Sequence, residues 1–225
     1  MQHWVLGFIR ACVMQGIETP VQPQDLLAEV DDDALLDMWH DVCASDTNLP
    51  FVQRLVELVD PRLSISSGFR SACEAGALAV AQWLFALSPE ALVDVLNDTF
   101  ACVCFVGDLP TAQWLRSLAV DVHHNHDSPF RKACWCCARD GQAVAQWLAG
   151  LGGVDIHAQD DHAARIVVMC DNWTLGRWLL ARDPAWPKWP PGFLTGMRTW
   201  SAARDAWMRA ATQAATTQPA PAPLP

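Results

Sequence analysis

Five apolar triplets recur along the chain with the spacing 0, +3, +4: Phe8, Ala11 and Cys12; Trp39, Val42 and Cys43; Phe69, Ala72 and Cys73; Phe100, Val103 and Cys104; Phe130, Ala133 and Cys134. Ala164, Val167 and Val168 keep the same shape as a sixth copy. Residues so spaced share one stripe of a helix, so each triplet predicts an amphipathic helix. The cysteines follow one another at intervals of 31, 30, 31 and 30 residues. A period of this length is the mark of stacked supersecondary units.

A second helix is predicted downstream of the first. Val80, Trp83, Leu84 and Leu87 recur as Val144, Trp147, Leu148 and Leu151, and the Trp-Leu pair recurs again at Trp114 and Trp178. Two positions earlier stand Ala81, Ala112, Ala145 and Gly176, always small, while Gln82, Gln113, Gln146 and Arg177 are suited to face water. Val52 to Leu55 and Pro23 to Leu26 are degenerate copies. Between units runs a polar segment with a Val-Asp step (residues 30–31, 59–60, 93–94, 120–121 and 154–155), which predicts a turn or β-hairpin finger. Asp98 or Thr99, and Ser128 before Pro129, are the expected caps of the following helices. Gly76, Gly107 and Gly141 fall between the two helices of their units, where a positive φ is commonly needed.

These features together resemble the ankyrin repeat. The wording Phe69-Arg70-Ser71-Ala72-Cys73, Ala81-Gln82-Trp83-Leu84 and Val154-Asp155-Ile156-His157-Ala158 is similar to the divergent ankyrin repeats of large DNA viruses of protists. The likeness is good over residues 60–182 and poor before them. It departs from the family where Thr-Pro-Leu-His opens the first helix, since this chain has Ser-Pro-Phe-Arg or Gly-Phe-Arg there. The resemblance implies an all-α helical-repeat solenoid with short turn or hairpin fingers. Its expected organisation is degenerate repeats over 1–60, ankyrin-like repeats over 61–184, a C-terminal capping helix over 185–213, built around Phe193, Met197, Trp200, Trp207 and Met208, and a disordered tail over 214–225.

What the resemblance implies for function is non-catalytic protein binding through finger tips and the exposed face of the first helices, as by a viral factor engaging a host protein. The contacts so implied are Arg62 and Ser64; His123, His124 and Asn125; and His157, Gln159 and His162. Arg70, Arg131 and Arg165 follow the aromatic position and would line the groove; the alternative is that their stems pack over neighbouring units. A second expectation is a substrate-recruiting adaptor for ubiquitin ligation, although neither end of the chain reads as an F-box.

Charge and composition narrow the partner class. A formal charge of −10 and a pI of about 4.9 oppose the neutralisation of phosphates, so nucleic acid is not an expected partner. No apolar run approaches the ~20 residues of a membrane span, and residues 1–16 lack the basic region and cleavage site of a signal peptide. Nine cysteines, five of them at a core position, fit reduced thiols in a cytosolic or nuclear compartment. A monomer is expected.

Two chemical readings compete with binding. His123, His124 and His126 followed by Cys134, Cys136 and Cys137 carry zinc-ligand chemistry, but Cys134 belongs to the core ladder and the paired Cys-x-x-Cys spacing is absent. Cys136, Cys137 or Cys170 as a nucleophile would need a positioned base that no local pattern supplies. The acidic runs at Asp31 to Asp33 and at Asp160 and Asp161 suit the positive end of a helix dipole. No metal, cofactor or catalytic residue is therefore expected.

Overall fold

A computed structural model of the chain describes residues 31–57, 64–135, 141–170 and 172–183. Among them every regular element is helical. The first copy of the repeat and the expected C-terminal cap lie outside these residues.

The ten α-helices among the described residues follow the stripes. They are α1 (Asp32–Cys43), α2 (Leu49–Glu57) after a short 3-10 turn (Asp46–Asn48), α3 (Ile65–Ala75), α4 (Leu78–Leu87), α5 (Pro89–Val106), α6 (Leu109–Ser117), α7 (His124–Trp135), α8 (Gly141–Gly150), α9 (Ala158–Met169) and α10 (Trp173–Arg182). Two compact units divide the chain. The first runs to Val103 and includes Pro110–Val120; the second comprises Cys104–Leu109 and the residues from Asp121 on.

In the first unit α1 packs on α2 and α3, and α3 packs on α4. The triplets face the interior: Trp39, Val42, Cys43, Phe69, Ala72, Cys73, Phe100 and Val103 are buried. Phe69 meets Phe85 and Trp114 in a cluster with ring centroids 6.1 to 6.3 Å apart. The Trp positions of the second helices are half-buried, whereas Leu84 and Leu115 beside them, and the small Ala81 and Ala112, are fully enclosed.

Local chemistry explains where these helices begin and end. Asp31 caps α1 by accepting from Ala34 N at 2.8 Å, so the acidic run starts a helix as expected. Gly76 ends α3 with φ 72° and ψ 17°. Gly76 N then donates to Cys73 O and Ala77 N to Ala72 O, at 3.2 and 2.8 Å, which closes a Schellman cap. Gly107 also takes a positive φ, 91°.

In the second unit α7 packs on both α8 and α9, and α9 on α10. Phe130, Ala133, Cys134, Ala164 and Val167 are buried, as are Leu148 and Leu179. Among the described residues, no helix is long and apolar enough to cross a membrane.

The fingers differ from expectation. No strand forms among the described residues, so the Val-Asp steps at 120–121 and 154–155 are turns and not hairpins. The step at Val93-Asp94 is not a finger at all; it lies inside α5. Pro89 suits the first position of a helix, and Leu92, Leu96, Phe100 and Val103 then form one buried stripe with no breaker between them. Asp98 and Thr99 are consequently interior to that helix and not its caps.

Candidate functional site

Two turns in the second unit share one construction, 34 residues apart. In the first, Asp121 begins the turn: its Oδ1 accepts from His123 N at 2.9 Å and its carbonyl accepts from His124 N at 3.2 Å. Asn125, His126 and Asp127 then adopt left-handed backbone angles, with φ 51°, 56° and 55°. The reversed sense brings Asp127 back onto His123, whose Nδ1 donates to Asp127 Oδ1 at 2.6 Å. Right-handed helix resumes at Ser128, so the interior of α7 proper starts after the turn.

The second turn repeats each contact. Asp155 Oδ1 accepts from His157 N at 2.9 Å and Asp155 O from Ala158 N at 3.1 Å. Gln159, Asp160 and Asp161 take φ of 57°, 56° and 56°. His157 Nδ1 donates to Asp161 Oδ1 at 2.5 Å, and its Nε2 to Asp183 Oδ2 at 2.9 Å. Asp161 is therefore a buried partner of a histidine, and not simply the start of a helix at its dipole.

Three successive left-handed residues that are not glycine cost roughly 1–2 kcal/mol each, so something must hold them. The buried Asp carboxylates do part of this from inside. Arginine does the rest from outside: Arg131 Nε donates to His126 O and its Nη2 to Asn125 O, both at 2.9 Å, and Arg165 Nη2 donates to Gln159 O at 2.9 Å. The two turns are also joined, because Asp127 Oδ2 accepts from Asp155 N at 3.0 Å.

Electrostatics follow from these contacts. Burial works against charging His157, but its hydrogen bonds to Asp161 and Asp183 and the attraction of both carboxylates outweigh this, so its pKa is raised. His162 is shifted down, by burial first and then by Arg131 and Arg165. Both ring nitrogens of His157 are engaged by carboxylates, which leaves it no lone pair with which to act as a base.

The sequence-predicted residues among those described thus fall into three groups. His123, His124, Asn125 and Arg131 meet around the first turn, and His157, Gln159, His162 and Arg165 around the second. Asn125 and Gln159 project their side chains into solvent. The remaining ones belong to the first unit: Ser64 caps α3, accepting from Ser67 N at 3.3 Å. Its carbonyl accepts from Trp39 Nε1. Arg70 lines an open cleft of about 460 Å³ together with His40, Ser66, Ser67, Ser71, Glu74 and Val95. Arg62 lies outside the described residues.

Sequence reasoning missed Asp127 and Asp183, and gave Asp161 only a helix-dipole role. The signal was present as Val-Asp-Val-His-x-x-x-Asp at 120–127 and Val-Asp-Ile-His-x-x-x-Asp at 154–161.

Among the described residues no three His, Cys, Asp or Glu side chains converge as metal ligands. Cys134 is enclosed and burial pushes its thiol up, away from the thiolate a ligand or nucleophile requires. Cys136 and Cys137 lie outside the described residues. Compared with protein-family models, with curated proteins and with solved structures, the chain finds no match in any of the three.

Proposed function

We propose that this chain is a non-catalytic protein-binding module whose helix pairs are ankyrin-like repeats, and that its partner is engaged at the turns of the second unit. The observation that carries the reading is the duplicated left-handed turn. A strained backbone conformation held from both sides is the arrangement expected of a contact loop ordered in advance of binding, because little conformational entropy is then lost on association. The exposed tips carry short polar side chains, Asn125, His126, Gln159 and Asp160, which offer hydrogen bonds to a protein surface.

The test is quantitative affinity capture with the full-length chain, comparing the wild type with Asn125→Ala/His126→Ala and Gln159→Ala/Asp160→Ala variants. Both variants should remain folded, with the small loss of thermal stability expected for Ala at left-handed positions, and lose the same partners. Unchanged partner lists would remove the turns from the binding surface. The repeat reading has its own test, insertion of a second copy of residues 121–154 after Val154. A repeat array accepts the extra unit and gains helix content with one cooperative transition; aggregation or loss of cooperativity would count against it.

A further inference from the structure

In the second unit, each first helix carries a large exposed side chain one residue beyond its ladder position. Phe105 follows Cys104, Trp135 follows Cys134 and Met169 follows Val168, and the three are 47, 44 and 63 % exposed. The corresponding described residues of the first unit are Ala44 and Glu74, so among the described residues a large apolar side chain at this position occurs in the second unit alone. The side chains form a row: the rings of Phe105 and Trp135 meet edge to face with centroids 6.4 Å apart, and the Trp135 ring lies 6.2 Å from that of His162. Met169 lies seven residues beyond His162, on the same face of α9.

Charge tells what such a row would accept. The chain as a whole is acidic, at −10, yet the charged groups that act on His162 are two guanidiniums, Arg131 and Arg165. Each guanidinium has five N–H donors, of which the turns occupy Nε and Nη2 of Arg131 and Nη2 of Arg165. Aromatic rings flanked by arginine suit a ligand that combines carboxylates with a large apolar side chain. The C-terminal segment of the chain itself fits this poorly, since over residues 184–225 it carries Lys188, Arg198, Arg204 and Arg209 against the single Asp205.

We propose that this row docks an acidic peptide segment of a partner protein, with one of its large apolar side chains packed on Trp135 and its carboxylates on Arg131 and Arg165. The proposal deepens the protein-binding reading above and rests on it.

The experiment uses the full chain and a fluorescein-labelled short peptide of Asp, Glu, Leu and Phe, followed by fluorescence anisotropy. Two control peptides replace the acids by Lys, or the apolar residues by Ser. The acidic-apolar peptide should bind, each control should bind at least about tenfold more weakly, and Trp135→Ser should weaken binding by about tenfold or more. Met169→Ser serves as a second variant should Trp135→Ser fail to fold. Equal binding of the Lys peptide, or no effect of the variants, overturns the proposal.

A photo-crosslinking residue at position 105 identifies the occupant directly. An adduct with the peptide supports the proposal. Adducts confined to another segment of the same chain, or to a second copy, assign the row to those occupants and overturn it. If the peptide fails while the turn variants still lose their captured partners, the docking row falls and the binding reading stands; failure of both experiments removes both.

Discussion

The Cβ that Gly68 lacks would sit 2.6 Å from Cε2 of Trp39, so this glycine gives the indole its place. Trp39 is fully buried and its Nε1 donates to Ser64 O at 2.9 Å, which ties the ring to the start of α3. Gly68→Ala gains ~1 kcal/mol of helix propensity, but overpacking a rigid, hydrogen-bonded ring costs ~1–3 kcal/mol. The second effect should prevail, with a net loss of up to ~2 kcal/mol in urea denaturation. An unchanged midpoint would mean that the ring can move aside.

Asp127→Ala should be among the most damaging single changes in the second unit. It removes the acceptor of both His123 Nδ1 and Asp155 N, and leaves that amide without its partner in a half-buried place. The expected cost is ~2–4 kcal/mol, less than two full bonds to a charged group at ~1.5–3 kcal/mol each because the His123 side chain is partly exposed. Asp127→Asn keeps the shape but not the charge, and should fall between the two.

Stability should depend on pH through His157. Its folded pKa lies above the ordinary value of about 6.5, so the contribution is full below that value and is lost as pH rises through the folded pKa. Thermal denaturation should therefore show stability declining from mildly acid to alkaline pH. His157→Gln should flatten that decline. Asp183→Asn removes one of the two carboxylates and should bring the histidine titration, followed by NMR, toward its ordinary value.

Thiol chemistry offers an independent check on the ladder. Cys43 is enclosed and burial pushes its pKa up to about 12; Cys134 is shifted in the same direction. Neither should react with iodoacetamide in the native protein at neutral pH, while the half-buried Cys102 and Cys170 should be labelled before them. Early labelling of Cys43 or Cys134, read by mass spectrometry, would place the stripe on the surface.

The helices were legible because burial imposes a period. Phe69, Ala72 and Cys73, or Phe130, Ala133 and Cys134, had to lie on one face, and they do. The finger at Val93-Asp94 was misread because the period of the repeat was given more weight than the local signal. Pro89 and the Leu92, Leu96, Phe100 series already described an unbroken helix. The turns were located correctly at 120–121 and 154–155, but their internal chemistry was not. Asn125, His126 and Asp127 are of the types that best tolerate left-handed backbone, but three such residues in succession need more than that tolerance. They are held by hydrogen bonds from His123, Arg131 and the amide of Asp155, and only the shared His-x-x-x-Asp spacing hinted at them. Exposure of Phe105, Trp135 and Met169 was equally hidden, since an apolar residue beside a buried stripe reads as more core.

The bond from Asp155 N to Asp127 Oδ2 makes the two turns energetically interdependent. Opening the first releases an amide of the second, so hydrogen exchange at Asp155 should report the local unfolding of residues 125–127. A ligand that clamps one tip lowers the ordering cost of the other, and successive contacts then reinforce each other without any change of fold. One carboxylate with two oxygens thereby gives this segment a means of avidity that rigid helices alone would not provide.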